Sequence, residues 1–137
     1  MFGGQLANGE ASGELYVLRA MKKGLFWQHG SKLCQGKAPE ARFDHAMHRI
    51  RDNLIIMGGR NRTCFLPTVH LLELTQLMWT NISLKVSPEH PQAKTAFERA
   101  EFAVAGSRHE NKIYIFGGVD KNFVLTNEVM VLTFDQL

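Results

Sequence analysis

The chain has 137 residues and a mass of 15.5 kDa, with 45% apolar and 21% charged residues, which suits one packed domain and excludes a large multidomain enzyme. Sixteen Lys and Arg against 13 Asp and Glu give a net charge of +3, and the basic residues are scattered, so nothing favours nucleic-acid binding. No apolar run approaches the ~20 residues of a membrane helix, and the first residues lack the pattern of a secretory signal.

Short apolar runs of four or five residues, bounded by Gly, Asn, Asp or Thr, predict β-strands along most of the chain. In chain order the runs are 15–18, 54–57, 69–72, 112–116 and 129–132. The stretch 93–105 has the composition of a helix instead. We nevertheless predict that it forms a strand, near 100–106 and with Phe102 and Val104 on one face, because an internal repeat aligns it with another predicted strand.

That repeat begins with an apolar residue followed by two glycines, and it occurs three times. The pairs are Gly3-Gly4, Gly58-Gly59 and Gly117-Gly118, and their second glycines lie 55 and 59 residues apart. A polar loop of roughly ten residues and a second apolar strand follow each pair. Trp27 and Trp79 then come 23 and 20 residues after the second glycine of their copies.

An arginine precedes the second and third glycine pairs. Arg42 and Arg99 stand 16 and 18 residues before the first glycine of their copies. Aligning the two arginines sets His45 opposite Phe102, and this alignment predicts a packing role for His45.

These elements resemble the kelch repeat. The resemblance rests on 39–46, 53–59 and 69–74, ending at Trp79, and it extends over almost the whole chain. It implies an all-β fold of propeller blades, each with four antiparallel strands labelled a to d from the axis outward. It also implies that the glycines admit close packing on the backbone, that tryptophan fills the wedge between blades, and that arginine donates to carbonyls of the next blade.

By this register the chain holds one complete four-stranded blade flanked by two partial blades, an incomplete ring. We assign a partial blade to 1–30, the full blade to 31–84 and a partial blade to 85–137. The chain is then a piece of a longer protein, a truncated product, or a protomer that closes with other copies. We expect the isolated chain to self-associate through its open blade edges.

Metal and cofactor chemistry are not predicted. The spacing of His45 and His48 is the most metal-like in the chain, but residues three apart on a strand point to opposite faces. Cys34 and Cys64 are too few for a disulfide framework, and we interpret them as free thiols of a cytoplasmic protein.

The loops between strands b and c are the candidate partner-binding surface, because a rigid scaffold commonly presents function on its loops. Arg60, Asn61 and Arg62 form a compact cationic group whose guanidiniums would suit an acidic peptide or carboxylate. Asp120, Lys121 and Asn122 are the candidates on the following b–c loop.

The resemblance implies a protein-interaction or scaffold module, a fragment of a longer adaptor or substrate-recruiting protein without catalysis. Two alternatives stay open: part of a kelch-like enzyme of the oxidase or sugar epimerase type, and a non-functional truncated product. The partner expected is a protein or peptide, with no nucleic acid and no membrane.

Overall fold

The computed structural model describes residues 1–107 and 109–135, and at residues 92 and 94 the backbone alone. These residues form twelve short strands and two 3-10 helices, Ser31–Leu33 and Pro91–Thr95. No α-helix occurs among the described residues, and nearly every sheet pairing is antiparallel. The predicted all-β fold is confirmed.

The first sheet pairs β1 (Tyr16–Met21) with β2 (Gly24–His29) in antiparallel register. Phe2 bridges Leu15 just before β1, where strand b of a blade would lie. This sheet is therefore a partial blade with strands c and d and a remnant of b.

The second sheet is a complete blade. Its strands in chain order are β3 (Gln35–Gly36), β4 (Ala46–Ile50), β5 (Asn53–Met57), β6 (Val69–Glu73) and β7 (Met78–Ile82). Four antiparallel strands, β4 to β7, lie side by side as strands a to d. The two-residue strand β3 lies parallel to β7 on its outer side.

The third blade lacks strand d among the described residues. Its strands are β8 (Arg99–Ala100), β9 (Ala103–Ala105), β10 (Lys112–Phe116), β11 (Val119–Asp120) and β12 (Val129–Thr133). The order β9, β10, β12 gives strands a to c, and β11 pairs with β8 beside them.

The helix-like stretch 93–105 is only partly a strand, which corrects our prediction. Its first residues belong to the 3-10 helix Pro91–Thr95, which begins at a proline, as helices commonly do. Glu101 separates β8 from β9 because its φ is 58° and its amide donates to the Asp44 carbonyl at 2.9 Å. Phe102 and Val104 do pack on the same core, as predicted.

Two apolar cores lie between the blades. We call the face of a blade that is turned to the next blade its leading face, and the opposite one its trailing face. Between the second and third blades, Ile55 and Met57 of one leading face pack with Ile113 and Ile115 of the next trailing face. Between the first and second blades, Phe2 and Leu15 pack in the same way with Ile56, Leu72 and Trp79. Each core needs two blades, so neighbouring blades stabilise each other.

Candidate functional site

The three b–c loops have the same hydrogen-bonded root, which places them at equivalent positions on the three blades. The carbonyl of the second glycine accepts an amide at the far side of each loop. These bonds are Ser12 to Gly4 at 2.8 Å, Leu66 to Gly59 at 2.9 Å and Thr126 to Gly118 at 3.0 Å. The loops are therefore fixed at their bases while their tips vary in sequence.

Two of the predicted binding residues shape their own loops. The Asn61 side-chain oxygen accepts the amides of Thr63 and Cys64, each at 2.8 Å. The Asp120 carboxylate likewise accepts the amides of Asn122 and Val124 at 2.8 and 2.9 Å, and the bond from Val124 is the largest cause of its lowered pKa. Their side chains hold local turns, as Asn and Asp commonly do.

Arg60 is already engaged by carboxylates of the protein itself. Its Nε lies 2.9 Å from Asp44 Oδ2 and its Nη2 lies 3.6 Å from Glu101 Oε1, while the guanidinium stands 5.1 Å above the ring of Phe43. Asp44 and Glu101 occupy equivalent repeat positions on adjacent blades. Arg60 thus links the second blade to the third, a role that the sequence did not reveal.

Among the predicted binding residues, the cations with mostly exposed side chains are Arg62 and Lys121. Arg62 Nη1 lies 3.0 Å from Glu10 Oε1, and both side chains are more than half exposed. Lys121 Nζ lies 2.6 Å from Glu98 Oε2, and this hydrogen bond raises the pKa of Lys121. Exposed pairs of this kind contribute little to stability, so a partner's carboxylates can replace the internal ones.

A cavity of about 420 Å³ joins the second and third b–c loops. Phe65 and Phe123 meet in it edge to face, with ring centroids 5.6 Å apart, and Phe123 is 69% exposed. The predicted residues in its lining are Arg60, Asn61, Arg62 and Lys121. Sequence reasoning missed Phe123, although the apolar run 123–125 in an otherwise polar loop was a usable signal.

The repeat residues form a regular set of contacts. A Cβ on Gly3 would lie 2.5 Å from the Arg42 carbonyl and 3.0 Å from the His45 ring. A Cβ on Gly58 would lie 2.9 Å from the Arg99 carbonyl and 2.7 Å from the Phe102 ring. The structure thus places His45 and Phe102 at equivalent positions, as the alignment of the two arginines predicted.

The predicted role of the arginines needs a correction. Arg42 donates to the Gly58 carbonyl at 2.9 Å, and Arg99 donates to the Gly117 carbonyl at 3.1 Å, both inside their own blade. The link between blades runs through the arginine carbonyls instead, because Arg42 accepts from the Gly4 amide and Arg99 from the Gly59 amide, each at 2.9 Å. The guanidinium therefore braces one blade while the backbone joins two.

The two tryptophans were predicted to pack between blades in the intact assembly, and within this chain their environments differ. Trp79 is 5% exposed and meets the ring of Phe2 at 5.6 Å. Trp27 is 59% exposed, because it lies on the trailing face of the first blade and none of the described residues covers that face.

Among the described residues, no group of three or more His, Cys, Asp and Glu side chains converges in a way that could hold a metal ion. His45 packs edge to face on Phe2, and burial is the main cause of its lowered pKa. Cys34 and Cys64 are both unbridged. Over residues 1–107 and 109–135 no helix has the length and apolarity to cross a bilayer.

Repeated blades with shared cores and loops fixed at glycine pairs define part of a β-propeller. The chain belongs to the kelch-repeat family, since the KLHDC2/KLHL20/DRC7 Kelch-repeats domain matches residues 1–137. Kelch-repeat domains are protein-interaction modules, and this is the class to which the chain belongs.

Two curated proteins and a solved structure are similar to the chain. The Dynein alpha chain, flagellar outer arm, of Chlamydomonas reinhardtii is 32% identical over 89 residues, which is 59% of this chain and 2% of that protein. The Acyl-CoA-binding domain-containing protein 4 of Arabidopsis thaliana is 30% identical over 88 residues, 64% of this chain and 13% of that protein.

The solved structure is a chain of the cryo-EM structure of RAG in complex with one melted RSS and one unmelted RSS. It is similar with a TM-score of 0.72 at 18% identity, over 98% of this chain and 46% of that one. This likeness shows the fold. The chain spans a small part of the curated relatives and less than half of the solved chain.

Proposed function

We propose that this chain is the binding part of a longer cytoplasmic adaptor or substrate-recruiting protein, and that it acts by binding rather than by catalysis. The blade limits 1–30, 31–84 and 85–137 are part of the proposal. Its membership in the kelch-repeat family supports the binding role. The two unbridged cysteines suit the reducing compartment that we propose.

The observation that carries the proposal is the cavity between the second and third b–c loops. Aromatic residues and arginine are the types most enriched in the energetic centres of protein interfaces. Phe123 offers an exposed ring supported by Phe65, and Arg62 and Lys121 offer cations at its rim. The loops are anchored at both ends, so little conformational entropy is lost when a partner binds.

The partner that fits this surface is a peptide segment with an apolar or aromatic side chain beside acidic residues. Of the predicted residues, Arg62 and Lys121 are the ones that we propose contact it. Arg60, Asn61 and Asp120 act by holding the two loops in place, and Asn122 lies on the rim of the same loop.

Selection of a displayed library of random short peptides on the 137-residue chain tests the proposal. We expect enrichment of acidic peptides with an aromatic or aliphatic residue. Titration of a selected peptide should show weaker binding to Phe123→Ala and to Arg62→Glu, with a marked salt dependence for the wild type. Arg49→Glu is the matched control, because Arg49 is half exposed, forms a similar ion pair with Asp52 and lies at the a–b turn.

The proposal fails if the selected peptides bind Phe123→Ala and Arg62→Glu as tightly as the wild type, or if the control Arg49→Glu weakens binding as much as they do. Circular dichroism of each variant shows that the comparison is between folded proteins. Arg60→Glu is not suitable here, because it would break the link between two blades.

A further inference from the structure

The positive charge of the chain is concentrated on the first blade and the linker that follows it. Residues 15–39 contain five Lys and Arg and no Asp or Glu, so the other 112 residues have 11 against 13 and a net charge of −2. Arg19, Lys22 and Lys23 lie near the end of the β1–β2 hairpin, and all three are exposed. Within the described residues no carboxylate forms an ion pair with them.

This hairpin extends further than its counterpart in the second blade. Counted from the tryptophans, the pair Arg19 and Phe26 is equivalent to the pair Glu73 and Met78. Six residues lie between Arg19 and Phe26, while four lie between Glu73 and Met78. The first hairpin uses the extra length for two further cross-strand pairs. Its end therefore projects as paired strands where the second blade has already turned.

The two hairpins also differ in charge at equivalent positions. The Glu73 carboxylate accepts the amides of Thr75 and Gln76 at 3.0 and 2.9 Å, so this anion closes its own turn. The first hairpin has Arg19 in that position, and the turn beyond it consists of two lysines. A self-contained acidic turn is thus replaced by a projecting cationic one.

Apolar side chains accompany the cations on the leading face. Side chains alternate along a strand, so Leu15 and every second residue after it lie on this face. These residues are Val17, Arg19 and Met21. The exposed fraction rises along them, from 5% at Leu15 to 37% at Val17 and 62% at Met21, and Phe26, directly opposite Arg19, is 50% exposed. The second blade covers the beginning of β1 and leaves its end uncovered.

The exposure of this face does not depend on where the chain begins. A preceding blade would cover the trailing face, where Leu25 and Trp27 lie. It would not reach the leading face, because the neighbour of that face is the second blade, which is present in the structure. Val17, Met21 and Phe26 therefore stay exposed in a longer propeller.

We propose that this side of the first hairpin binds an acidic segment of a partner protein, beside apolar side chains of the same segment. Arginine and aromatic residues are typical of the energetic centres of interfaces, and Arg19 and Phe26 are direct neighbours across the two strands. Complementary charge also speeds and directs such an encounter. We call the surface the hairpin face, and its residues are Val17, Arg19, Met21, Lys22, Lys23 and Phe26.

The position of the hairpin face decides which kind of partner fits it. The face lies on the side of the hairpin that is turned to the second blade, so a narrow peptide segment reaches it and a flat bilayer does not. Strand β1 begins near the first b–c loop and ends at the turn Lys22-Lys23, so the end of the hairpin is far from the loop cavity. An adaptor with both surfaces holds two proteins at once, and neither proposal depends on the other.

Selection of a displayed library of random short peptides on the Arg62→Glu/Phe123→Ala chain tests the proposal. These two substitutions disable the proposed loop site, so the outcome is independent of it. We expect enrichment of peptides that combine Asp or Glu with aliphatic or aromatic residues. Titration of a selected peptide should show about tenfold weaker binding when Lys22→Glu/Lys23→Glu is added, because two attractions become repulsions.

Two matched controls locate the contact. Lys85→Glu/Lys112→Glu changes the net charge equally at two exposed lysines outside the first blade, and it should leave binding intact. Phe26→Ser should weaken binding by about fivefold. Leu25→Ser should not, although Leu25 is an equally exposed neighbour on the opposite face of the same strand. Circular dichroism establishes that each variant is folded.

Four results would overturn the proposal. Binding that survives Lys22→Glu/Lys23→Glu would place the peptide elsewhere, and an equal loss in the Lys85→Glu/Lys112→Glu control would reduce the effect to net charge. A loss in Leu25→Ser as large as in Phe26→Ser would show that the peptide occupies the place of a preceding blade. If no acidic peptide is enriched, and vesicles of phosphatidylcholine and phosphatidylserine bind through the same two lysines, the surface belongs to a membrane.

Discussion

The Arg42 guanidinium donates to the Gly58 carbonyl oxygen at 2.9 Å, from a side chain that is fully buried. It also donates to Thr68 Oγ1 at 2.9 Å and to the Glu40 carbonyl at 3.1 Å. Burial lowers the pKa of Arg42 to about 10, so the side chain still carries its charge at neutral pH. One cation thereby satisfies acceptors on three segments of the second blade.

Arg42→Ala should lower the free energy of unfolding by about 2–4 kcal/mol, because buried acceptors of a charged donor lose their partner. Urea unfolding followed by circular dichroism measures the change. The comparison is Arg49→Ala, which removes an exposed arginine and should stay within about 0.5 kcal/mol of the wild type. Equal effects of the two substitutions would contradict the bracing role of Arg42.

Gly58→Ala should cost more stability than Gly117→Ala. Both glycines have a left-handed backbone, with φ of 61° and 70°, so both substitutions pay a similar strain of ~1 kcal/mol. A Cβ on Gly58 would also meet the Phe102 ring at 2.7 Å, while a Cβ on Gly117 meets only the Thr126 carbonyl, at 3.3 Å. The overpacking adds about 1–3 kcal/mol at Gly58, as measured by thermal or urea unfolding. A larger loss at Gly117 would refute this explanation.

The chain should lose stability as the pH falls from 6.5 towards 4, and His70 should account for part of the loss. Burial, followed by the charges of Arg42 and Lys37, lowers the pKa of His70 to about 4. The unfolded chain then binds a proton in this range that the folded chain does not, so the stability falls on the acid side. The full effect is on the order of 3 kcal/mol, at about 1.36 kcal/mol for each pKa unit between 6.5 and about 4.

The measurement for His70 is a series of urea titrations between pH 7 and 4. His70→Gln should flatten the slope, while substitution of the exposed His109 should not. His70 Nε2 lies 3.0 Å from Thr68 Oγ1, which already accepts from Arg42, so the neutral ring is the one that fits. An unchanged slope in His70→Gln would exclude this residue as the cause.

Trp79→Ala should destabilise the chain by roughly 3–5 kcal/mol, because it removes a large buried ring from the core between the first and second blades. Trp27→Ala should change the unfolding free energy of the dissociated chain by less than about 1 kcal/mol, since its ring is mostly exposed. Dilute samples separate this effect from association. Similar losses for both tryptophans would show that Trp27 is covered within a single chain.

The fold could be predicted from the sequence, because glycine pairs, arginines and tryptophans recur at the spacing that the strands of a blade require. The loop site was only half predictable. The sequence placed Arg60 and Lys121 on neighbouring loops, but the carboxylates of Asp44 and Glu101 reach Arg60 through backbone turns with positive φ, which spacing does not reveal. The exposure of Trp27 depends on a neighbouring blade, so no local pattern could predict it.

The short strand β3 has a consequence for how the second blade behaves in solution. It pairs with the outermost strand of that blade before the chain turns inward to form strand a. The exposed backbone donors and acceptors of an outer strand are templates for unwanted pairing, and two residues of parallel chain cover part of them here. Part of the outer edge of the second blade is therefore already paired within the chain. This favours association of the blade through its faces over pairing of its outer strand with another chain.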